Sequence, residues 1–496
     1  MSRKKVSFLF IPVVLLCVLM LNVCSGSGRS DVPVIIWWQI GNNSVFLPQF
    51  SKQLSEYTEA KIGVRLEIRQ GTWGNSSQRF NAMINTGEYF DIMFTDVNVF
   101  THFSTLGAFA DLSTLMDVVP ELYHSMPKEL WKGVSLDGKI FGIPTYKDSA
   151  ATQFVFWDAS ITEKIDFDIT DNSWENWDSI FRTMKVYVES PRFFPYNMSR
   201  NDAELVFTNY VEITAMLPVL GVQFDDPLAR VVLTLEQPDV IERYRYLNRW
   251  FEDGIINSDA NMTYSVPENH RPFFTSQAWP GVARAYSDNA NRAGRNVLNK
   301  EIRYIPVQYF GPLFSTTSIQ GSINSISINS RHKEEALKLL QLVNTDPVFR
   351  DMMSYGIEGE HFEYVYMEDG RRAVHRLNNL WPLINYQIGN YFILTPENTV
   401  PVGYWDEVRY LNETAFSSYL LGFTFDITRV EAEVINCRNT WERFNFDLKT
   451  GAANPDENLP VLIAELERKG IRRIIAEAQR QIDVFLNTDL KHISAD

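Results

Sequence analysis

The stretch VIIWWQIGNNSVFLPQFSKQLSEYTEAKIGVRLEIRQGTWGNSSQRFNAMINTGEYFDIMF (residues 34–94) contains three strand patterns separated by two helix patterns. Residues 34–38 and 91–94 are short apolar runs, which are typical of buried strands, and residues 64–68 alternate between apolar and polar side chains. In both intervening stretches, apolar residues repeat at helical spacing. The order β-α-β-α-β predicts a mostly parallel sheet that is covered by helices.

The remainder of the chain adds a hairpin, a crossing strand and further amphipathic helices. Asp137-Gly138, which lies between Val134 and Ile140, is a strong signal for a β-hairpin turn. Residues 153–157 are predicted to form a strand that crosses to a second lobe. Helix patterns follow Ser173, begin at Pro238 and run from Ile471 to Phe485. The sequence contains no internal repeat and no long low-complexity linker, so we expect interwoven lobes.

The N-terminus predicts export from the cytoplasm. The basic residues 3–5 precede an uncharged, mostly apolar run from Val6 to Val23, as in an export signal. Cys24 and the Ser/Gly tract after it resemble a bacterial lipoprotein box, in which the Cys is acylated and becomes the mature N-terminus. The run is also of borderline length for a membrane-spanning helix, so an uncleaved anchor remains the alternative.

Composition and motifs argue against several classes of function. The formal net charge of −15 disfavours binding to nucleic acid or other polyanions. Three cysteines are too few for a disulfide framework. The HExxH, CxxC, GxSxG and GxGxxG motifs are all missing from the sequence, so we predict no catalytic residue, no metal and no cofactor. A glycosidase that takes its carboxylates from distant segments remains open.

Several short motifs, in their order and spacing, resemble one family. Residues 91–94, the Gly142-Ile143-Pro144 segment, the Trp279-Pro280-Gly281 segment and residues 322–330 resemble the family 1 extracellular solute-binding proteins, the sugar-capturing components of ABC importers. A second set of motifs is similar to the large lipoproteins of this family, which carry a C-terminal domain of unassigned role. These motifs are Tyr355–Gly359, Gln387–Asn390, Leu421–Asp426, Gly470-Ile471 and Glu477–Asp483.

The resemblance implies an α/β, two-lobed periplasmic-binding-protein-like fold of type II. Each lobe would be a mostly parallel sheet flanked by helices, with a hinge between the lobes. Residues 1–23 would be the signal peptide and residues 24–30 the lipidated tether. The first lobe would comprise residues 31–147 plus 315–365. The second lobe would comprise residues 148–314 plus 366–496, including the C-terminal helical segment.

A sugar offers apolar C–H faces and a rim of hydroxyls, so its site needs aromatic rings and convergent polar groups. Several candidates follow predicted strands, where ligands sit in open α/β sheets. They are Trp38 and Gln39 after the first strand, and Thr95, Asp96 and Asn98 after the strand that begins at Asp91. Tyr146 and Asp148 lie just past Pro144, where the chain is expected to cross between the lobes. Trp279 matches the family's stacking-aromatic segment, and Trp381, Tyr355 and Glu358 complete the predicted set.

The function implied is that of an exported, lipid-anchored, monomeric protein that captures a carbohydrate, with an oligosaccharide favoured. It would deliver this ligand to the permease subunits of an ABC importer, facing the periplasm or the exterior. A peptide ligand is the main alternative, because aromatic clefts also hold peptides. A secreted glycan-active enzyme and an adhesin lipoprotein are the further alternatives.

Overall fold

The computed structural model describes residues 32–42, 44–97, 99–202, 205–266, 271–294 and 298–493, with side chains up to residue 487. The predicted export segment, the predicted lipidation site Cys24 and the candidate Asn98 lie outside these residues.

Sixteen strands lie within the described residues. They are β1 (Val34–Gly41), β2 (Arg65–Thr72), β3 (Ile92–Thr95), β4 (Ser135–Leu136), β5 (Lys139–Ile140), β6 (Ile143–Pro144), β7 (Ala151–Asp158), β8 (Tyr210–Glu212), β9 (Leu220–Gln223), β10 (Val231–Leu233), β11 (Phe273–Gln277), β12 (Tyr304–Phe314), β13 (Ile323–Ile326), β14 (Phe362–Tyr366), β15 (Arg372–Arg376) and β16 (Phe416–Ser417).

The same part of the chain forms sixteen α-helices. They are α1 (Leu47–Ile62), α2 (Ser76–Thr86), α3 (Phe100–Thr105), α4 (Pro120–His124), α5 (Lys128–Gly133), α6 (Ala159–Thr162), α7 (Trp174–Val188), α8 (Pro238–Glu252), α9 (Val282–Ala293), α10 (Thr316–Ile319), α11 (Lys333–Thr345), α12 (Pro347–Tyr355), α13 (Tyr404–Glu413), α14 (Glu431–Lys449), α15 (Pro455–Arg468) and α16 (Ile471–Ile493). None of the helices described is both long and apolar enough to span a membrane.

The first sheet has the strand order β2-β1-β3-β13-β6 and confirms the β-α-β-α-β prediction. Strand β1 is parallel to both β2 and β3, whereas β13 is antiparallel to β3 and to β6. The predicted hairpin forms as β4 and β5, with Asp137 and Gly138 both at positive φ. Such a two-residue turn matches the twist of its flanking strands.

Hydroxyl groups of α1 cover the outer edge of the first sheet. The Oγ of Ser55 accepts from Leu66 N at 2.8 Å, and the Oγ of Ser51 accepts from Ile68 N at 3.0 Å. Thr58 Oγ1 donates to Val64 O just before β2. These side chains thus supply the partners that a sixth strand would otherwise provide.

The second sheet, with the order β11-β7-β12-β16, differs from the prediction. Strand β7 is antiparallel to both β11 and β12, and only β12 and β16 are parallel. The prediction of a mostly parallel sheet is therefore confirmed for the first lobe and wrong for the second. The reason is that β7 and β12 carry the chain between the lobes in opposite directions, so they pair antiparallel.

Two large hydrophobic clusters accompany the two sheets. The first contains the first sheet with α1, α2 and α11, and it also takes up Trp381, Leu383 and Ile388. This packing places residues 381–388 with the first sheet, although we expected the second lobe to resume at residue 366. The second cluster joins β7, α7 and α8 to the C-terminal helices α14, α15 and α16.

We predict that the serine cover on β2 contributes measurably to stability. The double variant Ser51→Ala/Ser55→Ala should lose about 1–3 kcal/mol for each donor left without a partner, because both backbone N–H groups are buried. Urea denaturation followed by circular dichroism gives the change in the free energy of unfolding. Ser77→Ala, at an exposed position of α2, is the control. A double variant that unfolds at the wild-type midpoint would contradict this role.

Candidate functional site

Strand direction brings the ends of four strands of the first sheet to one edge. Residue Ile323 at the start of β13 pairs with both Thr95 at the end of β3 and Pro144 at the end of β6. Strand β1 ends beside β2, with Gly41 opposite Thr72. Loops that follow these strands therefore converge at this edge, which we call the carboxyl edge.

The segment 385–391 is fixed across the carboxyl edge by hydrogen bonds. The side-chain amide of Gln387 accepts a hydrogen bond from Ile40 N at 2.9 Å and donates one to Ile40 O at 3.0 Å. Asn324, on β13, donates to Gln387 O at 2.9 Å. Tyr391 N donates to Tyr146 O at 2.9 Å. These bonds connect the segment to β1, to β13 and to the chain beyond β6.

A buried arginine on α12 holds the same segment from behind. The side chain of Arg350 is 0% exposed, and its guanidinium donates to Asn390 O at 2.9 Å and Asn385 O at 3.2 Å. It also donates to Ser354 Oγ. Burial lowers the pKa of Arg350, since removal from water disfavours the charged form. Backbone carbonyls, which turn toward the guanidinium, here compensate its desolvation.

Four partly exposed aromatic residues meet next to this segment. Ring centroids lie 5.3 Å apart for Trp279 and Tyr404, 5.8 Å for Trp279 and Trp405, and 4.8 Å for Tyr391 and Trp405. We call these four residues the aromatic cluster. Trp279 follows β11 of the second sheet, whereas Tyr391 is attached to the carboxyl edge of the first. The cluster therefore joins residues from both sheets.

A close approach between α9 and α13 positions the rings. Gly281 N donates to Glu407 Oε2 at 2.6 Å. A Cβ at position 281 would lie 2.9 Å from the Glu407 carboxylate and 3.0 Å from the Tyr404 ring. A side chain at position 281 would therefore require the Glu407 carboxylate and the Tyr404 ring, both on α13, to shift.

Asp148 supplies a carboxylate beside the aromatic cluster. Burial raises the pKa of Tyr404 to about 12, and the negative charges of Asp148 and Glu407 add to this effect. The pKa of Tyr391 is raised chiefly by burial, and the negative charge of Asp148 raises it further. The Asp148 carboxylate pairs with Lys147 at 2.7 Å. It is thus a partly exposed hydrogen-bond acceptor among aromatic faces.

Asn412 on α13 fixes the loop that carries Asp148. Its side chain is 3% exposed, accepts from Ala150 N at 3.0 Å and donates to Lys147 O at 2.5 Å. Gln277, on β11, donates to Asp148 O at 3.3 Å. The loop between β6 and β7 is thereby attached both to α13 and to the second sheet.

Among the predicted residues, Asp148 and Trp279 come together at the aromatic cluster. Asp96 lies near Tyr386, where its charge acts with burial to raise the pKa of that tyrosine. Thr95 is buried, with its hydroxyl directed at Ile323 O at 3.4 Å. Tyr146 is buried, and its ring packs against Phe392.

The two residues predicted on β1 point to opposite faces of the strand, as successive strand residues must. Trp38 packs edge-on against Phe80, with the Arg79 guanidinium 4.7 Å from its ring centroid. It lines a groove of about 1140 Å³ along the outer edge of the first sheet. The Gln39 side chain is fully buried, and neither of its amide atoms has a protein partner within the described structure.

The remaining three predicted residues lie in other surroundings. The Tyr355 hydroxyl donates to Thr395 O at 2.7 Å inside a small hydrophobic cluster. The Trp381 indole donates to Met353 O at 2.8 Å while its ring packs against Phe50. Both are almost fully buried, which leaves no open ring face for a ligand. Glu358 is exposed and forms an isolated β-bridge with Phe362.

Sequence reasoning missed several residues of the site: Arg350, Tyr386, Tyr391, Tyr404, Trp405 and Glu407. A usable signal was the pair Tyr404-Trp405, which directly follows Gly403 at the start of a helix. Trp73 was also missed; it directly follows β2 and is 54% exposed. No group of three His, Cys, Asp or Glu residues within the described ranges has a geometry suited to a metal ion.

We predict that Asn412→Leu destabilises the chain by about 1–3 kcal/mol, because Ala150 N would be left buried without an acceptor. Urea denaturation measures the loss, and Glu413→Gln, at the exposed neighbouring position, is the control. Equal midpoints for Asn412→Leu and the wild type would show that the loop is held by other contacts.

Comparisons with known proteins show which family has this architecture. The family described as "Bacterial extracellular solute-binding protein" matches residues 52–357, and the "Domain of unknown function (DUF3502)" matches residues 419–487. The chain is 27% identical over 471 residues to a carbohydrate ABC transporter substrate-binding protein of Streptococcus pneumoniae. This alignment covers 94% of the chain and 93% of that protein.

Solved structures share the fold. The N-glycan transport solute binding protein NgtS of Streptococcus pneumoniae has a TM-score of 0.80 at 24% identity, over 92% of this chain and 100% of NgtS. An HMO-binding, ABC-transporter-associated solute-binding protein of Bifidobacterium longum infantis has a TM-score of 0.66 at 14% identity, over 92% and 99% of the two chains. The two-lobed architecture expected from the sequence is thus confirmed. Since the family match extends over well more than half of the sequence, the chain belongs to the bacterial extracellular solute-binding proteins.

Proposed function

We propose that this protein captures an oligosaccharide outside the cytoplasm and delivers it to an ABC importer. The observation that carries the proposal is the aromatic cluster with Asp148 at the junction of the two sheets. Aromatic rings pack against the apolar C–H faces of sugars, and a carboxylate accepts hydrogen bonds from their hydroxyl groups. Its similarity to a carbohydrate ABC transporter substrate-binding protein and to an N-glycan transport solute binding protein supports the same ligand class.

The ligand-binding set that we propose combines predicted and newly found residues. Asp96, Asp148 and Trp279 come from the sequence prediction, and Tyr386, Tyr391, Tyr404 and Trp405 come from the structure. Because Tyr391 is attached to the first sheet and Trp279 to the second, one ligand can contact both lobes. Such a ligand stabilises the closed state by its differential affinity for that state.

We propose binding without catalysis at this site. A glycosidase requires two carboxyl groups that are free to act on one glycosidic bond. Here Glu407 accepts from Gly281 N, and Asp148 pairs with Lys147. Glu407 is thus held by a backbone contact and the charge of Asp148 is paired with a lysine, which disfavours their use as the two carboxyl groups of a glycosidase.

Replacement of Trp279 by Ala should weaken oligosaccharide binding by about 1–3 kcal/mol, since stacking area is lost. This loss corresponds to a rise of about 5- to 150-fold in Kd. Isothermal titration with a panel of oligosaccharides and peptides measures it. The control is Tyr187→Ala, an exposed aromatic residue on α7 of the second lobe, which should leave affinity unchanged.

The same panel separates the alternatives. If the protein binds peptides but not sugars, its ligand is a peptide and not a carbohydrate. If it releases shortened sugars, it is a hydrolase. Binding of sugars with wild-type affinity by Trp279→Ala would remove the aromatic cluster from the site. If the protein binds no small molecule in the panel, solute capture is excluded.

We also propose that Cys24 carries the lipid that keeps the protein at the membrane, near the permease subunits. The Cys24→Ser variant, produced in a bacterial host and fractionated, should lose incorporation of labelled fatty acid, because a hydroxyl does not replace the thiol as acceptor. Wild-type chain treated identically is the control. A Cys24→Ser protein that still partitions with the membrane, when the wild type carries no lipid, would support the uncleaved anchor instead.

A further inference from the structure

A cavity of about 410 Å³ lies where the crossing strands meet the C-terminal helices. Its walls include Gln153 on β7, Glu212 on β8, Phe310 on β12, and Asn445 and Lys449 on α14. Pockets for small molecules occupy roughly 300–1,000 Å³, so the space is sufficient for one. Helix α14 belongs to the DUF3502 region, for which no role is assigned.

Three acceptor groups in this cavity have no donor from the protein within the described residues. Gln153 Oε1 and Asn445 Oδ1 are buried and form no hydrogen bond there. The Glu212 carboxyl lines the same cavity, and burial raises its pKa. Buried acceptors of this kind carry an energetic cost unless a ligand or water supplies donors.

The remaining walls restrict the class of ligand that can supply those donors. Lys449, which is 9% exposed, lines the same cavity and disfavours a cationic ligand. The rings of Tyr210, Tyr309 and Phe310 offer apolar faces. Neutral hydroxyl groups on a partly apolar ring satisfy both conditions, and a sugar residue has this chemistry.

The cavity is adjacent to the aromatic cluster through the pairing of β7 with β11. Gln153 lies directly opposite Gln277 in this pairing, which places their Cβ atoms about 4.5–5.5 Å apart on one face. The Gln277 amide donates to Asp148 O, and Trp279 is two residues further along the chain. A ligand of several sugar rings can therefore extend from the cluster to the cavity.

We propose that α14 of the DUF3502 region forms the end wall of the oligosaccharide site, and that this cavity holds a sugar residue beyond those at the aromatic cluster. The C-terminal region then acts on specificity, by selecting for ligand length. This inference rests on the proposed function, because it extends the same ligand into a second compartment.

The test compares ligands of two to six sugar residues with the full-length chain and its variants by isothermal titration. Glu212→Gln and Asn445→Leu should each raise Kd about 10-fold for the longest ligand that binds, and leave Kd for the disaccharide unchanged. Trp279→Ala should raise Kd for all lengths. The matched control is Asn439→Leu, an exposed position on the same helix, which should change neither value. Thermal unfolding of each variant verifies that it is folded.

The outcomes separate this inference from the proposed function. If Trp279→Ala weakens binding while both cavity variants bind every length normally, the end wall is rejected and solute capture is retained. If the cavity variants weaken binding equally for all lengths, selection by length is rejected. If no carbohydrate binds the wild type, both proposals fail.

Discussion

The segment that carries Tyr391 of the proposed ligand site is held from behind by one buried cation. Arg350 on α12 donates hydrogen bonds to the carbonyl groups of Asn385 and Asn390, and its side chain is fully buried. Since Tyr391 belongs to this segment, the guanidinium indirectly sets where the aromatic cluster forms. Removal of the charge would leave several buried carbonyls without a donor, a larger penalty than the loss of an exposed ion pair. A solvated loop could not provide this precision.

The two sheets contribute differently to the site. The first sheet presents converging strand ends, so its loops form a common edge. The second sheet is built around the antiparallel crossing strands β7 and β12, and it presents Gln153 and Gln277 side by side. Asp148 lies on the loop that connects β6 of the first sheet to β7 of the second.

Local periodicity predicted the first lobe because each strand and helix there carries its own pattern. The direction of the strands in the second sheet was not predictable from such patterns, since it depends on how the chain crosses between lobes. Trp279 was found through resemblance and Asp148 through its place at the expected crossing, whereas Tyr404 and Trp405 meet Trp279 only through long-range packing. Trp381 illustrates the converse: its ring type suggested a ligand platform, but its indole hydrogen bond and burial make it part of the core.

The hydroxyl groups along α1 have a consequence for how copies of this chain behave at high density. An edge strand with free N–H and C=O groups recruits strands from neighbouring molecules and promotes aggregation. Ser51, Ser55 and Thr58 already occupy those groups on and beside β2. This part of the edge is therefore closed to strand pairing between neighbouring copies of the chain.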